Sequence, residues 1–130
     1  MDLLRETLGV LKKYGIRPRR KLGQHFLIDR RVLELILESL ELSGTEEVLE
    51  IGAGVGTVTK AIAERAKRVV AVEIDRRLAR ALEDLLSPYG NVEVVLGDFL
   101  EMEVPRVDRV FSNVPYSISS PLFFKLIDEP

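Results

Sequence analysis

One stretch constrains this chain more than any other: Glu50-Ile51-Gly52-Ala53-Gly54-Val55-Gly56. It closes a short apolar run, Glu47 to Ile51, and opens a helical pattern from Thr57 to Ala66. Glycines at alternate positions let the backbone turn tightly and let a ligand approach it closely. The chain then keeps alternating. Arg68 to Ile74 reads as a second strand, and Asp75 caps a helix running to about Leu86. Ser87-Pro88-Tyr89-Gly90 is a turn, Val92 to Leu96 a third strand and Val107 to Ser112 a fourth. Ser119 or Ser120 then caps a further helix, with Pro121 near its first turn. Alternating strands and helices predict an α/β fold with a parallel, doubly wound sheet and right-handed crossovers.

Ahead of this core, Asp2 to Tyr14 has a helical period, with Leu4, Leu8, Leu11 and Tyr14 on one face and Gly15 as the stop. Gly15 to Arg20 is a basic linker carrying Pro18, and Lys21 to Leu27 has no clean period. Asp29 caps a helix over about residues 30–42, whose expected buried face is Val32, Ile36 and Leu40. Ser43-Gly44-Thr45 breaks it. The expected division is a basic helical extension, residues 1–42, packing on a core domain of residues 43–130. Charge follows that division. Residues 1–31 hold nine Lys/Arg against three Asp/Glu, a net +6, and residues 32–130 hold ten against eighteen, a net −8. A basic arm on an acidic body suits a polyanion such as nucleic acid, and a solvated charged surface is the alternative. Arg17, Arg19, Arg20 and Lys21, with Arg30 and Arg31, are the candidate phosphate contacts.

Composition excludes several classes. The chain's 130 residues make one domain, and 46% hydrophobic with 31% charged residues suit a soluble globular fold. No apolar run approaches the roughly 20 residues of a membrane span. Acids interrupt the N-terminus, so it is no signal peptide, and a cytoplasmic protein fits. The absence of cysteine excludes disulfide scaffolds, zinc–thiolate sites and thiol catalysis. His25, the single histidine, argues against histidine metal sites and a serine triad.

The glycine loop departs from the dinucleotide fingerprint G-x-G-x-x-G, whose third glycine would fall on Thr57. Its G-x-G-x-G spacing after the acidic Glu50 is typical of sites for S-adenosylmethionine (SAM), a ligand with no pyrophosphate to cradle. The loop then wraps the amino-acid and ribose end of the ligand, with Glu50, Gly52 and Gly54 as candidate cofactor-binding residues. A plain tight turn between strand and helix is the bland alternative. Two later acids fall where a nucleoside needs them. Glu73, 21 residues beyond Gly52, ends the second strand and can accept from both ribose hydroxyls. Asp98 follows the third strand and can accept from the adenine amino group, with Phe99 against the ring. No metal is implied.

After the fourth strand comes Asn113-Val114-Pro115-Tyr116. The Asn113 side chain and the Pro115 carbonyl can accept the two hydrogens of an exocyclic amine, which favours a pyramidal nitrogen with an available lone pair. Tyr116 gives a flipped-out base a face to stack on. An ordinary β-turn with proline at its second position is the alternative.

Taken in order, Lys21-Leu22-Gly23-Gln24-His25-Phe26-Leu27, Glu50 to Gly56, Val72-Glu73-Ile74-Asp75, Gly97-Asp98 and Asn113 to Tyr116 closely resemble the ribosomal RNA adenine N6,N6-dimethyltransferase family. The resemblance covers about residues 15–127. It implies a Rossmann-like SAM-dependent methyltransferase acting on adjacent adenosines near the 3′ end of small-subunit rRNA. It also implies that His25 and Leu27 lie against the cofactor and that Asn113 touches it while positioning the target amine. Members of the family continue with further strands and a helical C-terminal domain, so this chain is expected to be the N-terminal portion. Its fourth-strand edge is then expected to pair two copies. The alternatives are a large-subunit rRNA adenine methylase, a DNA adenine or protein glutamine methylase, and a non-catalytic RNA-binding or ribosome-assembly module on the same shell.

Overall fold

Short runs rich in Val, Ile and Leu make strands, here buried on both faces at the centre of the sheet and half-buried to exposed at its edges. Four of them pair in the computed structural model of the chain, which describes residues 3–17 and 29–112. They are β1 (Glu47–Ile51), β2 (Arg68–Glu73), β3 (Val92–Leu96) and β4 (Arg109–Ser112). All pairings are parallel, in the order β3-β2-β1-β4. The α-helices are α1 (Leu3–Lys13), α2 (Arg30–Leu40), α3 (Thr57–Ala63) and α4 (Arg76–Leu85). A 3-10 turn, Phe99–Glu101, follows β3.

The two faces of the sheet have different covers. Val48 and Val69 are buried with Leu33 and Leu40 of α2 and Val58 and Ile62 of α3. Ala71 is buried with Leu82 of α4 and Leu86. On the opposite face Leu49, Ile51, Val70 and Val72 pack on Phe99, with Leu100, Met102, Val104 and Val107 around it. Each fully buried aliphatic side chain contributes about 1.5–3 kcal/mol, so the central pair β1–β2 carries the core.

The sequence places β1 and β3 at their observed bounds. β4 starts two residues later than expected. The Asp108 N–H donates to the Glu47 carbonyl at 2.8 Å, but the Asp108 carboxylate takes the Glu47 N–H, so the ladder begins at Arg109. The helix α3 ends at Ala63, three residues early, because the chain must turn for the Lys67 N–H to reach the Glu46 carbonyl at 2.8 Å. Glu46 locks the preceding turn, accepting from the Ser43 hydroxyl at 2.6 Å and the N–H groups of Ser43 and Gly44. Those donors hold its carboxyl down at about 2. Asp29 and Asp75 cap α2 and α4 as expected, each accepting an N–H two residues on.

Two helix faces need correction. In α1 the buried row is Leu3, Thr7 and Leu11, whereas Leu4 and Leu8 are exposed. Both rows have helical spacing, and Tyr14 lies half-buried beside the winning one. The observed rotation also brings Glu6 to Lys60 of α3 and Tyr14 to Asp84 of α4. In α2 it is Leu33, Ile36, Leu37 and Leu40 that meet the core, while Val32, a hundred degrees round from Leu33, is exposed. The expected helix after Ser119 or Ser120 lies outside the described residues. Among the described residues no helix is long and apolar enough to cross a membrane.

Candidate functional site at the carboxyl ends of the strands

Parallel pairing brings the predicted residues to one rim. The β1–β2 register sets Ile51 beside Val72, so Gly52 follows directly beside Glu73. The β2–β3 register sets Glu73 beside Leu96, and Asp98 lies two residues further on. Ligands of open parallel sheets bind at this edge, outside the carboxyl ends of the strands.

The loop itself turns on left-handed glycines, with φ of +79° at Gly52, +62° at Gly54 and +83° at Gly56. Gly52 and Ala53 both donate their N–H to the Val72 carbonyl, at 2.9 and 3.3 Å. A Cβ on Gly56 would stand 3.0 Å from Leu82 Cδ2, so packing as well as backbone geometry favours glycine there. Glu73 organises the rest. It is 4% exposed, and its Oε1 accepts the Gly54 N–H at 2.8 Å while Oε2 accepts the Asp75 N–H at 3.0 Å. Burial pushes its carboxyl up, and the N–H donors of Asp75 and Gly54 pull against that rise. Asp75 is buried too and is paired with Arg77, whose Nη2 lies 2.8 Å from Oδ2.

Glu50, at the penultimate position of β1, is buried and turned to α3. It is 1% exposed and accepts from the Thr59 hydroxyl of α3. Burial pushes its carboxyl up to about 8; the Thr59 bond opposes the shift and the charge of Glu73 adds to it.

Asp98 is half-buried and accepts the Leu100 N–H at 3.0 Å, capping the 3-10 turn. The Gly97 N–H donates to the Glu73 carbonyl at 3.0 Å and draws this corner to the end of β2. Phe99 differs from expectation: its ring is buried against Leu49, Ile51, Val70 and Val72, so the core holds it and the rim does not. Ile74, to which the sequence motifs give no role of its own, is 45% exposed between Glu73 and Asp75. It shares the parity of Val70 and Val72 but lies beyond the last ladder pair, and that combination is readable from the strand end. Arg17 is exposed, and its carbonyl accepts from Arg77 Nη2 at 3.0 Å. His25, Leu27, Arg19, Arg20, Lys21, Asn113, Pro115 and Tyr116 lie outside the described residues.

Fold and rim together define the class: a Rossmann-like α/β domain of the SAM-dependent methyltransferase type. Comparison with known proteins narrows it. Residues 15–130 match the family model described as ribosomal RNA adenine dimethylase, and the chain belongs to that family. It is similar to the probable ribosomal RNA small subunit methyltransferase A of Methanopyrus kandleri, 49% identical over 125 residues, covering 95% of this chain and 45% of that protein. Among solved structures it resembles a dimethyladenosine transferase from Plasmodium falciparum, with a TM-score of 0.75 and 37% identity over 80% of this chain and 38% of that one. The 23S rRNA methyltransferase ErmE gives a TM-score of 0.76 and 39% identity over 82% of this chain and 44% of that one. The chain spans less than half the length of the curated relatives it matches.

The buried acids set a pH dependence. The folded value of Glu50 stands above its ordinary 4.5, so the folded chain keeps a proton that the unfolded chain releases. Its stabilising effect is complete below about pH 4.5 and is lost as pH rises toward 8, in the same direction as Glu73. Glu46 changes protonation only below that window. Urea midpoints should therefore fall between pH 5 and pH 8, and Glu50→Gln should flatten most of that fall. A wild-type midpoint that is level or rising over this range contradicts the assignment.

Proposed function

We propose that this chain carries the cofactor and catalytic residues of a SAM-dependent enzyme that dimethylates N6 of adenosines in small-subunit ribosomal RNA. The observation that carries the reading is Glu73. Its buried carboxylate stands at the end of β2, joined to the glycine loop through Gly54, with Asp98 on the next strand corner.

The residues present fit SAM. Glu73 has acceptor capacity beyond its two N–H bonds for a pair of ribose hydroxyls. Gly52 and Gly54 leave the backbone open for the methionine end, and exposed Ile74 offers an apolar wall for a purine. Asp98 accepts from the adenine amino group. The Ser112 hydroxyl, at the end of β4, is buried with no hydrogen-bond partner among the described residues. His25 and Leu27 complete the cofactor contacts from the N-terminal segment, as the family resemblance implies.

When bound, SAM supplies an electrophilic methyl group on a sulfonium. Asn113 and the Pro115 carbonyl hold the two N6 hydrogens of the target adenine, and Tyr116 stacks on the base. Holding those hydrogens out of the ring plane frees the nitrogen lone pair, and positioning accounts for most of the rate. The methylated amine is acidic while charged and loses its proton to water without a strong base. Arg17, Arg19, Arg20 and Lys21 contact the RNA phosphates. The setting is ribosome assembly in the cytoplasm, on rRNA or a pre-ribosomal particle.

A second reading has its own support, because ErmE, a 23S rRNA methyltransferase, is as similar as the dimethyladenosine transferase. Methyl transfer from labelled SAM onto unmodified small- and large-subunit rRNA separates the two. The expected result is label in the small-subunit RNA, reduced about a hundredfold or more by Asn113→Ala. Label confined to large-subunit RNA selects the second reading. RNA retention with no transfer makes the chain a binding module.

A further inference from the structure

The helix α1 lies ahead of residues 15–130, the span of the family match, and the site as described gives it no task. Its packing does. Val55, in the middle of the glycine loop, is buried in one cluster with Leu11 of α1, Ile16, and Leu78 and Ala81 of α4. Gly15, at φ +63°, turns the chain so that the Ile16 N–H returns to the Leu11 carbonyl at 2.8 Å and both side chains join that cluster.

Polar ties surround this apolar centre. Glu6 pairs with Lys60 of α3 at 2.9 Å. Tyr14 donates to Asp84 of α4. Arg77 of α4 donates to the Arg17 carbonyl at 3.0 Å. Thus α1 and the residues after it are fixed to the two helices that flank the loop. From the other side, the Gly54 N–H is held by Glu73 Oε1 at 2.8 Å. The loop lies between a carboxylate and a helix.

We propose that α1 is a strut for the glycine loop: Leu11 and Ile16, acting through Val55, are positioning residues that keep Gly54 on Glu73. Three loop glycines give the backbone more freedom than any other residues would. A site that must order them on binding loses affinity relative to one already ordered. The effect on cofactor affinity rests on the function proposed above; the effect on the loop does not.

The test compares Leu11→Ala, Val55→Ala and the double variant with two controls. Leu8→Ala alters the exposed row of the same helix, and Leu40→Ala alters a core cluster away from the loop. Amide exchange of Gly54 without ligand is read by NMR, beside titration with S-adenosylhomocysteine and urea midpoints. In Leu11→Ala and Val55→Ala, Gly54 should exchange about tenfold faster and the ligand bind about tenfold more weakly. The double variant should be no worse than the poorer single one. Leu8→Ala should change neither, and Leu40→Ala should lower the midpoint while leaving Gly54 alone. If Leu11→Ala does not fold, Leu11→Val carries the comparison with a smaller rise. Unchanged Gly54 exchange in the Leu11 variant overturns the strut, as does an equal rise in Leu40→Ala. A wild-type chain that binds no ligand while Gly54 still responds leaves the strut standing and removes the proposed function.

Discussion

The Glu73 carboxylate is buried, and a buried carboxylate needs donors. The two it finds are backbone N–H groups on either side of the end of β2: Gly54 from the glycine loop and Asp75 from the start of α4. One side chain therefore fixes both the loop that follows β1 and the cap of the helix that follows β2. Its own backbone carbonyl, accepting from Gly97, fixes the corner after β3. Three of the four strand ends in this sheet are tied together at one residue.

The same logic runs outward from the rim. Asp75 gives its N–H to Glu73 and its carboxylate to Arg77, and Arg77 reaches on to the Arg17 carbonyl. The basic linker thus starts from a point tied to this rim, reached from Glu73 through Asp75 and Arg77. On the inner side Glu50 and Thr59 join β1 to α3 through a buried hydrogen bond. Burying Glu50 where it raises its own proton affinity lowers stability at neutral pH. A chain selected for stability alone would place an apolar residue there.

Much of this was legible in the sequence. The strands β1 and β3 and the caps Asp29 and Asp75 follow from short apolar runs bounded by acids and glycines, where one pattern has no competitor. Glu73 and Asp98 were legible because parallel pairing sends equivalent strand ends to one rim. The helix faces were less so. In α1, Leu3–Leu11 and Leu4–Leu8 both have helical spacing, and only tertiary packing decides between them, with Leu3 and Leu11 in the core and Lys60 and Asp84 meeting Glu6 and Tyr14. Phe99 departs from expectation for a related reason: an aromatic beside an acid at a strand end reads as a ligand contact, and only the packing of the sheet shows that the core takes it. The Arg77–Arg17 bond joins residues 60 positions apart, and no local pattern reports it.

The account stands or falls on whether this rim holds SAM through Glu73. Calorimetric titration of SAM into the chain, with circular dichroism on the same samples, tests that directly. The predicted result is saturable one-site binding that Glu73→Ala abolishes while the spectrum of the folded chain is kept. A folded wild-type chain that binds no SAM, or a Glu73→Ala variant that binds it as well as wild type, would contradict the account.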